Sequence, residues 1–196
     1  MNRDALTELH YITPLANVSS ICKLGILSHQ KARNRVHDSV AMPEIQEKRS
    51  QVIVPGGRRL HEYANLYICA RNPMLRKRRD QHDQLCVLRV SPSVLDLRGV
   101  VISDQNASSS HCRFVAAPAG LSIVNQDLTF AEFWTDPDPI TAWRCKSAKC
   151  AEVLVPDRVD PRFLMGAYVS CEEAQRRFAG MGVFLVASID RHLFFL

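Results

Sequence analysis

Short runs of strand-forming residues, each ended by proline, glycine or polar residues, recur along the chain and constrain its fold more than any other feature. The run LHYIT at 9–13 alternates along its length and is ended by Pro14, which is typical of a strand. Similar runs predict strands at 64–70, 85–90, near 94–103, 150–155, 161–170 and 182–188. Helical patterns are few and short, so the sequence predicts a mixed α+β domain with several short strands.

Capping and breaking residues place the predicted helices. Asn17 is expected to cap a helix that buries Val18 and Ile21 and stops at Gly25. Residues 28–42 are polar, basic and aperiodic, which predicts a long surface loop. Further helices are expected at 43–50 and 171–181, and VIVPGG indicates a strand that runs into a turn.

Aromatic residues are concentrated in the run FAEFW. Phe130, Phe133 and Trp134 fall at helical spacing there, and such a set is more often part of a core than of a cofactor cage. We therefore expect a helix whose aromatic face packs in the interior.

Length and composition favour one domain over residues 1–196, since 46% hydrophobic residues suffice for a sizeable core. No apolar run approaches the roughly 18 residues of a membrane span, and the first residues do not resemble an export signal. Seven cysteines without a CxxC pair favour neither a disulfide framework nor a zinc site. We expect a cytoplasmic protein with free thiols, no bound metal and no membrane partner.

Positive charge is concentrated in one quarter of the chain. Residues 31–79 contain twelve Lys or Arg and four acidic residues, a local net charge of +8 within a chain of net charge +5. Such asymmetry suits a polyanion gripped through its phosphates. A solvated basic face is the competing interpretation.

Glu152 stands at an unusual position, directly before the strand-forming run Val153 to Val155. Alternation puts Glu152 on the face opposite the two valines. A buried carboxylate without a partner costs several kcal/mol, so Glu152 is either satisfied by an arginine or backbone donors or held at a functional site.

Several residues elsewhere in the chain fit a site around Glu152. The approach RCKSAK is basic and would attract phosphate, and Arg49 is suited to clamp a pyrophosphate, although a surface ion pair is the alternative. Tyr11 and Tyr67 lie in predicted strands and are expected to pack on a planar ring or in the core. The motifs of dinucleotide-fold dehydrogenases, P-loop NTPases, zincins and α/β-hydrolases are absent.

Four segments, in order, resemble a known family. They are LHYITPLANVSSICKLGIL, IQEKR, VPGGRRLHEYANLYICARNPML and KSAKCAEVLVP. Together they resemble the DarT-like DNA ADP-ribosyltransferases, toxins of bacterial toxin-antitoxin systems that transfer ADP-ribose from NAD to a base of single-stranded DNA. The resemblance implies the ADP-ribosyltransferase fold, a split mixed β-sheet with few helices around an NAD cleft. It also implies an antitoxin that reverses the modification or blocks the site.

The resemblance assigns roles to residues of this chain. Glu152 is implied as the catalytic glutamate, set at a cleft edge to stabilise the oxocarbenium-like ribose, and Arg49 as the essential arginine. Tyr11, Thr13, Asn17 and Tyr67 are implied in NAD binding, with the 28–42 loop lying over NAD. The residues expected to contact DNA are Lys48, Arg71, Arg76, Asn106, Arg144 and Lys146.

Two positions depart from the family pattern. Tyr11 stands where many relatives have a histidine, and His10 is one place earlier on the opposite strand face. Asn106 stands where thymine-modifying relatives tend to have a histidine. We therefore expect guanine as the acceptor, with thymine as the alternative. RNA as the acceptor, and a non-catalytic nucleic-acid-binding module, remain open on the residues alone.

Overall fold

Alternating strand sequences assemble into one large sheet. A computed structural model describes residues 1–196, and eight of its strands form a sheet in the order β10-β9-β4-β1-β3-β7-β5-β6, while β2 and β8 form a separate pair. The strands are β1 (Leu9–Pro14), β2 (Ile26–Leu27), β3 (Tyr63–Tyr67), β4 (Leu85–Val90), β5 (Val101–Ser103), β6 (Phe114–Ala116), β7 (Glu152–Pro156), β8 (Arg158–Val159), β9 (Leu164–Val169) and β10 (Ala187–Ile189). Strands β9 and β10 are parallel and the other neighbours antiparallel, so the sheet is mixed.

The helices are short and lie in the connections. They are α1 (Val18–Leu24), α2 (His29–Ala32), α3 (Pro43–Ser50), α4 (Pro73–Lys77), α5 (Gln126–Phe130), α6 (Pro139–Ala148) and α7 (Glu172–Ala179), with 3-10 turns at Arg3–Ala5, Leu15–Asn17, Leu60–Glu62, Arg79–Gln84, Pro92–Asp96, Ala119–Ile123 and Pro161–Phe163. Gly25 ends α1 as predicted, with φ +87°, and an added Cβ would lie 2.1 Å from the carbonyl oxygen of Val159. No helix is long and apolar enough to cross a membrane.

The sheet is split at its centre. Strand β1 pairs with β4 over six residues, but it pairs with β3 at a single position, His10 opposite Tyr67. Beyond that position the two strands diverge, which leaves a gap between them. The predicted α+β fold with a split mixed sheet is confirmed.

The core lies on both faces of the sheet because apolar residues alternate along the strands. One face carries a cluster of 29 buried residues that includes Leu9, Leu88 and Val153. The other face carries a smaller cluster around Ile12 and Phe194. The first strand is therefore buried from both sides.

Several predicted elements were wrong. Asn17 precedes α1 but makes no capping hydrogen bond with its side chain. Only Val101–Ser103 of the predicted 94–103 strand is extended, because Ser91 caps a 3-10 turn at Pro92–Asp96. The predicted strands at 161–170 and 182–188 shorten to β9 and β10, and VIVPGG makes only one bridge, between Ile53 and Arg59.

The aromatic run and the long loop also differ from expectation. Helix α5 ends at Phe130, so the helical spacing breaks and the three aromatic residues separate. Trp134 is buried, whereas Phe130 and Phe133 are exposed. The 28–42 segment contains one helical region, α2, because the Ser28 hydroxyl accepts from the backbone N–H of Lys31.

Candidate active site

Glu152 is the first residue of β7 and lies in the middle of a ladder of three strands. It is opposite Tyr67 on β3 and Ser103 on β5, so the three side chains share one face of the sheet. The Ser103 hydroxyl accepts a hydrogen bond from the Glu152 backbone N–H at 3.2 Å. The strand register thus places Tyr67 and Ser103 beside Glu152.

Arg49 binds the Glu152 carboxylate with both ends of its guanidinium. The Nη1–Oε1 and Nη2–Oε2 distances are each 3.0 Å, and Oε1 also accepts from the backbone N–H of Ala107 at 3.2 Å. Burial alone would lower the pKa of Arg49, but the adjacent carboxylate outweighs it and raises that pKa. The two-point contact between the side chains compensates the burial of both.

Glu152 does not sit at a cleft edge, and that prediction was wrong. Its exposure is 0%, and it is absent from the walls of the adjacent cavity, whereas Arg49 lines that cavity. The carboxylate needs a cationic partner when buried, and Arg49 meets this need by lying between Glu152 and the cavity. Access to Glu152 thus requires Arg49 to shift.

The cavity, of about 330 Å³, opens in the split between β1 and β3. Tyr11 and Thr13 line it from β1, and Tyr67 lines it from β3. Burial raises the pKa of both tyrosine hydroxyls, so these groups stay protonated and able to donate. The structure brings three of the four predicted NAD contacts to one cavity.

Asn17, the fourth predicted NAD contact, does not line the cavity. Its Nδ2 donates to Thr13 Oγ1 at 3.2 Å and to the carbonyl of Asp38 at 2.7 Å, and its Oδ1 accepts from the backbone N–H of Asp38. The side chain therefore links β1 to the segment that covers the cavity.

Residues 33–42, the cover segment, lie over the cavity and include part of its lining, His37 to Met42. Two side chains fasten it: Asn17 holds Asp38, and Arg78 donates twice to the carbonyl of Val40, at 2.7 and 3.1 Å. The 28–42 segment was expected to lie over NAD, and its position over the cavity is compatible with that role.

Two histidines that the sequence did not single out stack at the cavity wall. The rings of His29 and His61 have centroids 4.2 Å apart, and His61 Nε2 lies 3.1 Å from the Gln46 side-chain oxygen. Desolvation lowers the pKa of each, and nearby charges that include Arg49 lower it further. The two residues are 32 positions apart, so no local pattern could reveal the pair.

The predicted DNA contacts divide into two groups. Lys48, Arg76, Arg144 and Lys146 are exposed, as DNA contacts require. Arg71 is different, because it donates to the carbonyls of His192 and Glu132 and packs on the Phe195 ring at 4.5 Å. Those bonds fix Nε and Nη1 within the fold and leave Nη2 as the donor for a phosphate.

Asn106 lines the cavity near its inner end. Its Oδ1 accepts from the backbone N–H and the hydroxyl of Ser108, and its own backbone N–H donates to the carbonyl of Ser147. The side-chain amide nitrogen has no protein acceptor and remains available as a donor.

All seven cysteines are free. Burial raises the pKa of Cys112 and of Cys150 to about 12, so both thiols are protonated near neutral pH. No group of three metal-ligating side chains lies together.

Comparison with known proteins identifies the family. The family model described as "ssDNA thymidine ADP-ribosyltransferase, DarT" matches residues 10–195. The chain belongs to the DarT family. The resemblance drawn from the four sequence segments is thus confirmed, and the match covers both sides of the split sheet.

A curated relative of this DarT chain is the "DNA ADP-ribosyl transferase-DNA ADP-ribosyl glycohydrolase fusion protein" of Thermosipho africanus. It is 34% identical over 176 residues, which are 85% of this chain and 43% of the relative. The chain therefore spans less than half the length of that protein.

Two solved structures share the DarT fold. Thermosipho africanus DarTG in complex with ADP-ribose is 30% identical, has a TM-score of 0.84 and covers 97% of this chain and 51% of its own. Thermus sp. 2.9 DarT in complex with ADP-ribosylated ssDNA is 22% identical, also has a TM-score of 0.84 and covers 97% of both chains. At the lower identity the likeness is informative for the fold alone.

Proposed function

We propose that this chain transfers ADP-ribose from NAD to a base of single-stranded DNA and releases nicotinamide. The observation that carries the proposal is the buried Arg49–Glu152 pair at the inner end of a cavity in the sheet split of a DarT-family chain. The DNA-bound Thermus relative and the ADP-ribose-bound Thermosipho relative support the choice of both substrates.

NAD is assigned to the cavity between β1 and β3. Tyr11 and Tyr67 offer aromatic surface for a planar ring, and Thr13 offers a hydroxyl. The cover segment limits the access of water, which suits a glycosidic bond that must be cleaved without hydrolysis.

Glu152 is assigned the role of stabilising the charge that develops on the ribose. Breaking the nicotinamide–ribose bond builds positive charge on the ribose, and a fixed carboxylate stabilises that charge. The same group then accepts the proton that the attacking base nitrogen loses as the new ribose–base bond forms. Because Arg49 holds both carboxylate oxygens, substrate binding must draw Arg49 away, toward the pyrophosphate or the acceptor base.

Guanine is the proposed acceptor, and the family description, which names thymidine, makes thymine the second candidate. The preference rests on Asn106, which replaces the histidine typical of thymine-modifying relatives. Its free amide nitrogen is a donor that suits the O6 of guanine and also the O4 of thymine. An unstacked base in a single strand is easier to present than one in a duplex.

A glycohydrolase that removes the modification is the proposed antitoxin partner. The Thermosipho relative joins a DNA ADP-ribosyl glycohydrolase to the transferase in one chain, which supports a functional link between the two activities. A cytoplasmic location, where NAD and single-stranded DNA occur together, completes the proposal.

Intact mass measurement tests the proposal. The chain and its Glu152→Gln variant are incubated with NAD and four oligonucleotides, each of which lacks one base, and with a matched RNA. We expect an ADP-ribose adduct that requires Glu152 and is absent only from the strand without guanine. Loss only from the thymine-free strand would overturn the base assignment. No adduct on DNA or RNA would leave a nucleic-acid-binding module.

A further inference from the structure

An exposed aromatic pair lies outside the cavity, with Trp143 on helix α6 and His111 in the loop between β5 and β6. Trp143 is 48% exposed, and the His111 ring meets it edge to face, with centroids 6.1 Å apart and an interplanar angle of 88°. Neither residue belongs to the core clusters or lines the cavity. A tryptophan with an open face at the surface is suited to contact a ligand ring.

Hydrogen bonds connect the loop and the helix that carry this pair to each other and to Glu152. Residues 104–113, the loop between β5 and β6, touch the Glu152 carboxylate through the backbone N–H of Ala107. The same loop is tied to the end of α6, where Ser147 Oγ donates to Gln105 Oε1 at 2.7 Å and Ser147 O accepts from Asn106 N. Trp143 lies one helical turn before Ser147, so the loop leads from the buried carboxylate outward to Trp143.

Positive charge borders the pair. Arg144 and Lys146 follow Trp143 on α6, and both are exposed without an ion pair. Residues 139–151 contain no acidic residue. Asp138, the N-cap of α6, accepts from the backbone N–H and the hydroxyl of Thr141, and it is the acidic group that interacts with the charge of Arg144. The surface therefore combines an aromatic face with cations, which is the combination that binds single-stranded nucleic acid.

We propose that Trp143 and His111 form a stacking platform for an unpaired base that adjoins the acceptor nucleotide, with Arg144 and Lys146 on its phosphates. The inference rests on the proposed function for the identity of the strand. It adds a second nucleotide site, outside the cavity, that holds the strand while the acceptor base enters. A base stacked there contributes to strand affinity and leaves NAD binding unchanged.

Tryptophan fluorescence tests the platform without any catalytic readout. The chain contains two tryptophans, and Trp134 is buried, so Trp134→Phe leaves Trp143 as the reporter. Titration with a ten-nucleotide single strand should quench this emission and protect it from acrylamide. Trp143→Ala, measured by anisotropy with a labelled strand, should weaken binding about 5- to 150-fold, the range for the loss of one base–aromatic stack.

Matched variants separate stacking from general effects. Phe184 is 63% exposed and precedes β10 at the opposite edge of the sheet, so Phe184→Ala should leave strand binding unchanged. Trp143→Phe should retain most of the affinity. Arg144→Ala should lower the slope of log affinity against log salt by about 0.7, as expected for one lost phosphate contact, whereas Arg176→Ala on α7 should not change the slope.

Two results would overturn the platform: no quenching in the Trp134→Phe chain, or equal strand affinity of the Trp143→Ala and parent chains. Each is independent of the transferase assignment. Quenching with no adduct on any strand would support the stacking platform and contradict the proposed reaction. Adduct formation without quenching would support the reaction and contradict the platform.

Discussion

At the scale of single residues, the Glu152 carboxylate depends on one side chain for its charge balance. Arg49 supplies two hydrogen bonds, and both groups are withdrawn from water. Removal of one partner leaves a buried charge alone, whereas removal of both leaves none. The Arg49–Glu152 pair therefore affects the stability of the fold, and this effect can be measured separately from its part in the proposed reaction.

Glu152→Leu should lower the free energy of unfolding by about 3–5 kcal/mol, because it strands the Arg49 charge in the interior. The double variant Arg49→Leu, Glu152→Leu should recover most of that loss and still lack activity. Urea denaturation of the three chains measures both effects. A double variant no more stable than the single one would show that the loss arises from packing and not from the unpaired charge.

Glu8 provides a second test at this scale. It accepts from Arg89 Nε at 2.6 Å and contacts His10 Nε2 at 3.0 Å. Desolvation opposes ionisation of this largely buried carboxyl, but the His10 and Arg89 bonds outweigh it and lower its pKa from 4.5 to about 2. The ionised form is therefore favoured by folding, and Glu8 stabilises the protein at pH values above its unfolded pKa.

That stabilisation, about 3 kcal/mol, should disappear as the pH falls from about 4.5 to about 2. The difference in unfolding free energy between the parent and Glu8→Gln should accordingly shrink between pH 7 and pH 3. Asp4→Asn, in an exposed 3-10 turn, serves as the control. A difference that is constant over this pH range would contradict the assignment.

At the scale of elements, the cover segment is held at two points that lie two residues apart. Asn17→Ala removes its bonds to Asp38 and to Thr13. The segment should then become sensitive to limited proteolysis at 33–42, and KM for NAD should rise several-fold with a smaller change in kcat. Asn34→Ala, within the segment but without a side-chain bond, should behave like the parent chain.

The histidine pair should make the cavity wall sensitive to acid. The pKa of both His29 and His61 lies below the usual 6.5, so folding favours the neutral rings and opening of the wall favours the protonated ones. Below pH 6.5, the protection factors of residues 28–42, which are the exchange rates divided into the intrinsic rates at the same pH, should therefore fall. In the variant His29→Gln, His61→Gln the protection factors should lose this pH dependence. A fall that persists in the variant would assign it to other groups.

Strands were more predictable than their connections. The bounds of β1, β4 and α3 follow from local alternation and from Pro43 at a helix start, and these elements agree with expectation to within a residue. The 94–103 run has the composition of a strand, yet Ser91 and Pro92 favour a 3-10 turn over its first half. The local hydrogen bond of Ser91 determined the conformation of this segment, and a pattern of apolar residues does not reveal such a bond.

The residues of the candidate site were easier to predict from the sequence than the contacts between them. Motif order identified Glu152 and Arg49, but their mutual bond depends on a contact across 103 residues of sequence. Arg71 shows the same limit, because its partners are carbonyls at 132 and 192 that no sequence pattern indicates. Ser103 was not identified from the sequence, because its place opposite Glu152 depends on the pairing and register of β5 with β7.

At the scale of the whole molecule, one sheet runs from β10 at one edge to β6 at the other. A single cooperative unfolding transition is therefore predicted, which also tests the prediction of one domain over 1–196. Far-UV circular dichroism reports the whole sheet, whereas Trp134 and Trp143 report the region around α5 and α6. The two urea curves should coincide, and separate midpoints would indicate two independently folding units.

Strand β1 lies between β4 and β3 at the centre of the sheet, although it is the first strand in the chain. During synthesis β1 has no neighbour until residues 63–67 and 85–90, which form β3 and β4, have been made. The strand that begins with Glu152 pairs with β3 only after residues 152–156 have been made. A partly translated chain therefore contains Arg49 without its carboxylate. The Arg49–Glu152 ion pair therefore forms only after residue 152 has been synthesised, although Arg49 and both neighbours of β1 precede it in the chain.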